Sequence, residues 1–223
     1  VAAAGMLQFG KQSALYNNTP ASWTAANIAV SNGATLALNV GGAGEFTATD
    51  VQTIAALGTG SGGFASGSFL GLDTSSGDFT YNNVLSNLNA GANALGLMKL
   101  GANTLILGGA NTYTGGTTVA AGTLRIGAAE RLADGGVLTV NNGGTFDLNG
   151  FSETVNYLAG TAGGVITNSG ALADLILDLQ NCNNRAASMD IVGDIRLIVK
   201  NAQTIRSSTT ADQDYQQLQG THT

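Results

Sequence analysis

One cysteine, one proline, one histidine and one tryptophan are all that 223 residues contain of these four types. Cys182 has no partner for an internal disulfide, and alone it cannot make a zinc site. It reads as a small residue without a chemical role, and a chain so poor in cysteine fits export through an oxidising space. His222 stands beside the C-terminus, where a catalytic triad centred on it is not expected. Charged residues make up 10% of the chain, well below the ~25% of ordinary globular proteins. The net charge is −6 and there is no run of Lys or Arg, which argues against nucleic acid as a partner. Apolar runs extend for only a few residues, far short of the ~18–20 that span a membrane as a helix. The opening "VAAAGMLQFG" lacks the basic start and long apolar stretch of a signal peptide. Since the chain starts at Val1, it reads as an excised piece or a mature fragment.

Aromatics are also scarce, at 6%, so the 43% hydrophobic content comes from Ala, Val, Leu and Ile. Low charge and regularly recurring aliphatics exclude disorder, and glycine without a period of three excludes collagen. What the chain has instead is 33 Gly, 25 Thr and 21 Asn. It also repeats itself. "NGATLALN" (Asn32 to Asn39), "GANTLILG" (Gly101 to Gly108), "AGTLRIG" (Ala121 to Gly127) and "GGTFDLN" (Gly143 to Asn149) share one pattern, and "GVLTVN" and "GVITNSG" are weaker members. Aligned on Thr35, Thr104, Thr123 and Thr145, the last three copies are 19 and 22 residues apart. The first gap, of 69 residues, equals three turns of about 23.

Each copy alternates apolar and polar positions, the period of a strand with one face in a core. Flanking Gly and Asn suit the positive φ of tight corners. A sandwich of hairpins would use Asn32-Gly33 and Asn149-Gly150 as turns. It does not explain why the same aliphatic position recurs every ~20 residues, whereas coils stacked ~4.8 Å apart do. The alignment therefore predicts an internal column of Leu36, Leu105, Leu124 and Phe146, and a second of Leu38, Leu107, Ile126 and Leu148. Ala37, Ile106, Arg125 and Asp147 fall between them on the outer face, with Arg125 and Asp147 in contact.

The stretch Gly96 to Gly127, "GLMKLGANTLILGGANTYTGGTTVAAGTLRIG", resembles the passenger-associated transport repeat, also called the autotransporter-associated β-strand repeat. Its most specific part is "GANTYTGGTTVAAGTL", Gly109 to Leu124, with Tyr113, Gly115 and Gly116. The flanks Leu138 to Gly160 and Trp23 to Thr47 resemble sequence that accompanies this repeat in long bacterial surface proteins. The resemblance implies a β-helical passenger stalk, exported and held outside the cell, with no catalytic residues in the repeat. It further implies an outer-membrane barrel as anchor, which these 223 residues do not include.

Other stretches depart from the rhythm. Thr47 to Gly60 places Val51, Ile54, Ala55 and Leu57 at helical spacing with Asp50 as N-cap, predicting a short helix near residues 50–57 that leaves or covers the solenoid. Phe64 to Asn83 reads as a loop excursion or a sheet. Gly193 to Ile205 reads as a worn copy of Leu95 to Leu107, with Lys200 echoing Lys99, and the residues after it as a short helix, a frayed tail or a damaged end. Trp23 is expected to plug the open N-terminal end, since solenoids need caps.

β-Helices also include enzymes that cut polysaccharides, which need converging acids. The acids available are Asp134, Asp147, Glu153, Asp174 and Asp178, all read as solvated surface groups. Asp174 and Asp178 share the outer face of one strand at ~13 Å, too far apart for either hydrolase geometry. "GGAGEF" (Gly41 to Phe46) resembles a single calcium-roll repeat with Glu45 in place of Asp, and such sites use tandem turns. Tyr113 or Tyr157 would be the stacking platform of a carbohydrate-binding module. Phosphate-loop and dinucleotide motifs are absent.

The expectation is an all-β, right-handed parallel β-helix of about eight to ten coils, the hand following from the crossover rule. Residues 1–180 form the helix around a repeat core at 96–127, and residues 181–223 a degenerate further coil and irregular tail. The expected function is structural, with no catalytic, cofactor or metal residues. The expected partners are neighbouring repeats, with surface glycans as candidates. A carbohydrate-binding or adhesin module is the alternative, followed by a polysaccharide-cleaving enzyme.

Overall fold

The computed structural model describes residues 5–179 and 188–201. Its strands form four sheets, and every pairing between the described strands is parallel. The first sheet stacks seven strands: Met6–Phe9, Thr35–Asn39, Ser68–Asp73, Leu95–Leu100, Thr117–Val119, Val137–Val140 and Tyr157–Gly160. The second stacks Phe79–Tyr81, Thr104–Leu107, Gly122–Ile126, Gly144–Asp147, Val165–Thr167 and Asp190–Ile191. A third begins late, with Glu153–Val155, Ala173–Asp178 and Ile195–Lys200, and a fourth pairs Ala29–Val30 with Gly63–Phe64. The chain visits these sheets in rotation, which is the course of a parallel β-helix.

The register carries the predicted column through the repeat. Leu105 lies beside Leu124 and Leu124 beside Phe146, while Leu107 lies beside Ile126. All five are fully buried. On the outer face Arg125 lies beside Asp147, and its Nε donates to Oδ2 at 2.8 Å. Leu36, Leu38 and Ala37 do not belong here. Their strand, Thr35–Asn39, is in the first sheet, where Leu36 pairs with Leu7 and Leu70, and Leu38 with Phe9 and Leu72. Ala37 is buried rather than exposed, beside Gly71 and Gln8. Each coil contains two or three strands with the same local pattern, so matching phrases need not share a sheet.

The coils also differ in length, which defeats the even spacing assumed for the 69-residue gap. Register partners Met6 and Thr35 lie 29 residues apart, Thr35 and Phe69 34, and Phe69 and Gly96 27. From the repeat onward, Leu97 and Thr117 lie 20 apart, Thr117 and Leu138 21, and Val137 and Tyr157 20. The long early coils hold two short 3-10 turns, Gln12–Ala14 and Pro20–Ser22, and a helix, Ala48–Ala55. That helix starts two residues before the expected position. Thr47, not Asp50, is its N-cap, and Asp50 closes a capping box by accepting from the Thr47 amide at 2.8 Å. Val51, Ile54 and Ala55 face the core. The helix stands where its coil would add a strand to the second sheet. Gln52 accepts from the Tyr81 hydroxyl of the first strand there, at 2.7 Å. Residues 64–83, an excursion or a sheet in the sequence reading, contribute the strands Ser68–Asp73 and Phe79–Tyr81 to the first and second sheets.

Trp23 is buried near the N-terminal end, its ring 6.0 Å from that of Phe46 and its indole N–H on the Leu15 carbonyl. Glycine is required where corners of successive coils touch. Gly101 and Gly122 both have positive φ, and a Cβ on Gly122 would collide with the Gly101 carbonyl. The strand Ile195–Lys200 lies in the third sheet, whereas Leu95–Leu100 lies in the first, so Lys200 is exposed where Lys99 is buried. Residues 180–187 and the tail from 202 onward, including Cys182 and His222, lie outside the described residues.

Removing a stacked leucine leaves a gap that the coils above and below cannot fill. Leu124→Ala should lower unfolding free energy by about 2–5 kcal/mol in urea titrations. Ile106→Ala, on the half-buried outer face of the neighbouring coil, should cost less than half of that.

Candidate functional site

The polar side chains most capable of chemistry lie on or near the repeat, where the coil turns from the second sheet back to the first. In the three coils around residues 82–94, 108–116 and 127–136 no strand occupies this side, so side chains do the work of a sheet. Asn111 accepts from the Leu85 amide of the preceding coil at 2.8 Å and donates to the Arg131 carbonyl of the next at 2.7 Å. Asn87 accepts from the Thr114 amide at 2.9 Å and the Leu95 amide at 3.1 Å. Glu153 accepts from the amides of Arg131 (2.8 Å) and Leu132 (3.1 Å). Each is a side chain of one coil completing the backbone hydrogen bonding of another.

Glu153 is fully buried, contrary to its reading as a surface acid. It heads the inner column of the third sheet, beside Leu175 and then Leu197. Its carboxylate meets a coil that has no strand there to pair with. Burial pushes its pKa up to about 8, against the two amides that lower it, and Glu130 and Asp134 add to the rise. A raised carboxyl is also the mark of a general acid, but both oxygens of Glu153 face backbone amides inside the coil. Tyr113 is buried and bonds to the Thr117 hydroxyl, and burial raises its phenol pKa well above the ordinary value. The gap bounded by Tyr113, Thr117, Leu132 and Val155 leaves no room for a water-sized molecule. Tyr113 is therefore a corner-packing residue and not a sugar platform; Tyr157 is half-buried against the core.

Asp147 is buried as well, on the outer face near the corner between the second and third sheets. Burial opposes its charge, but the Ser169 amide and hydroxyl, the Asn149 amide and Arg125 outweigh that and hold its pKa below the usual carboxylate range. Asp174 and Asp178 do lie on the outer face of one strand. Asp174 takes a two-bond contact from Arg196, at 2.7 Å for each bond, which lowers its pKa. Asp178 accepts from Asn201 at 2.6 Å. Asp134 is exposed. Glu45 accepts from the Gly42 amide and the Ser76 hydroxyl and stands 3.7 Å from Lys11. Its carboxylate is thus engaged by the chain itself. Among the described residues no three His, Cys, Asp or Glu side chains come together as a metal would require.

The sequence reading missed Lys99. It occupies the inner column of the first sheet, between Leu72 and Val119, with no exposed surface. The signal was parity: Leu95, Leu97 and Lys99 share one face of their strand.

Against known proteins, residues 97–126 match the passenger-associated transport repeat. Over 94 residues the chain is 38% identical to the adhesin BmaC autotransporter of Brucella suis biovar 1 (strain 1330), a match covering 41% of this chain and 3% of that protein. It is 34% identical over 109 residues to the serine protease pet autotransporter of Escherichia coli O44:H18 (strain 042 / EAEC), covering 45% of this chain and 8% of that protein. Serine protease EspP of Escherichia coli is 34% identical over 88 residues, covering 38% and 7%. The chain thus spans less than a tenth of the length of these relatives. No solved structure matches it. The chain carries a passenger-associated transport repeat in a parallel β-helix and is similar, over part of its length, to exported passengers of autotransporters.

The raised pKa of Glu153 has a definite sign in stability. A carboxyl whose folded pKa exceeds its unfolded value of 4.5 stabilises fully below that value, and the contribution is lost as pH rises through about 8. Wild-type stability should therefore fall between pH 5 and 8 relative to Glu153→Gln, whose profile should be flatter when the two are melted side by side.

Proposed function

We propose that this segment is a structural β-helical stalk or display scaffold of an exported bacterial surface protein, and that it performs no catalysis. The observation that carries the reading is the use made of its polar side chains. Asn87, Asn111, Asp147 and Glu153 all bond to backbone of a neighbouring coil, and Tyr113 is enclosed. Groups committed in this way hold coils in register and are not free to meet a substrate.

The named activities of the relatives, adhesin and serine protease, belong to whole proteins of which this chain matches a small part. The stalk reading requires only that the coil project what lies beyond it. Its partners are then the neighbouring coils of the longer chain, and its link to the outer membrane is an anchor elsewhere in that chain. The low density of basic residues keeps nucleic acid out of the list of partners.

The purified chain should bind nothing above background on a glycan array. It should release no reducing ends from polysaccharides and no peptides from casein. Specific glycan binding would favour the carbohydrate-binding alternative, and turnover of either substrate would contradict the stalk.

A further inference from the structure

The Lys99 ammonium donates to three backbone carbonyls: Leu100 and Gly101 at 2.8 Å and Ala121 at 3.0 Å. The first two belong to its own coil, at the corner between the first and second sheets, and the third to the equivalent corner one coil later. Three carbonyls facing one point are the ligand set of a monovalent cation, and an ammonium has one N–H for each. Leu100 also accepts from Thr74. Among the described residues the Gly101 and Ala121 carbonyls have no other donor. The corner is half-buried, and with the Lys99 ammonium in place its carbonyls are satisfied by the chain itself.

We propose that the repeat contains a monovalent-cation site, occupied by the chain's own Lys99 ammonium, and that this tethered cation keys one coil to the next. All four residues of the site fall within the matched repeat, 97–126. The repeat spans two successive strands of the first sheet and two of the second, and Lys99 joins its first coil to its second from inside. An apolar residue in the same column would pack against any leucine-bearing coil. A buried ammonium is satisfied in one register alone, which is the best attested use of buried charge. Burial lowers the pKa of Lys99 to about 8, against Asp73 and Asp78, which raise it. At neutral pH the site therefore still holds a cation.

The test is chemical rescue in the full 223-residue chain. Lys99→Ala vacates the site, and its melting temperature should fall by about 5–15 °C. Ammonium chloride should recover a substantial part of that loss, while tetramethylammonium chloride, which has no N–H and is too large, should not. Wild type should respond to the two salts alike. If Lys99→Ala does not fold unaided, the yield of refolding in the two salts is the readout. Lys99→Met fills the space without donors and should also melt below wild type. Equal responses of Lys99→Ala to both salts, or a Lys99→Met variant as stable as wild type, would overturn the proposal.

Discussion

Strands stacked at one hydrogen-bond spacing give each inward side chain a fixed neighbour, the residue at the same position one coil above or below. Everything else in this chain follows from that constraint. Leu105, Leu124 and Phe146 can be buried without aromatic bulk because each lies on the next. Corners must superimpose for the columns to continue, so Gly122 has to sit against the Gly101 carbonyl. Where a coil lacks a strand to offer, a side chain must complete the hydrogen bonds, as Asn111 and Glu153 do.

The same constraint explains why so few polar groups are left for chemistry. Polar side chains inside or between coils are affordable only when another coil satisfies them. Asp147 draws on Arg125 and Asn149 and on Ser169 of the following coil, and Lys99 draws on carbonyls of two coils. Even the helix Ala48–Ala55, the main break in the rhythm, bonds through Gln52 to the first strand of the second sheet. A segment built this way is suited to transmit position along its axis, which is what the proposed stalk requires.

Much of this was legible in the sequence because stacking imposes local repetition. The column from Leu105 to Phe146 and the Arg125–Asp147 pair could be read from three aligned phrases, since coils in and after the repeat keep a nearly constant length. Leu36 and Leu38 could not be assigned to a sheet in the same way. Their phrase has the right alternation, but the early coils carry a helix and 3-10 turns that change the residue count. The buried charges were illegible for another reason. Charge alone suggests solvent, and only the parity of Lys99 with Leu95 and Leu97, or of Glu153 with Val155, points inward. Whether a buried charge has partners depends on another coil some 20 residues away.

Distances between spin labels at equivalent outer positions test the stacking most directly. With Cys182 replaced by Ala, nitroxides would be placed in pairs at Thr104, Thr123 and Thr145, register partners on the outer face of the second sheet. The parallel coil predicts strong dipolar broadening for Thr104 with Thr123 and for Thr123 with Thr145, neighbours at ~4.8 Å, and weaker broadening for Thr104 with Thr145 at twice that. Absence of broadening in either neighbouring pair, or the strongest broadening between Thr104 and Thr145, would contradict it.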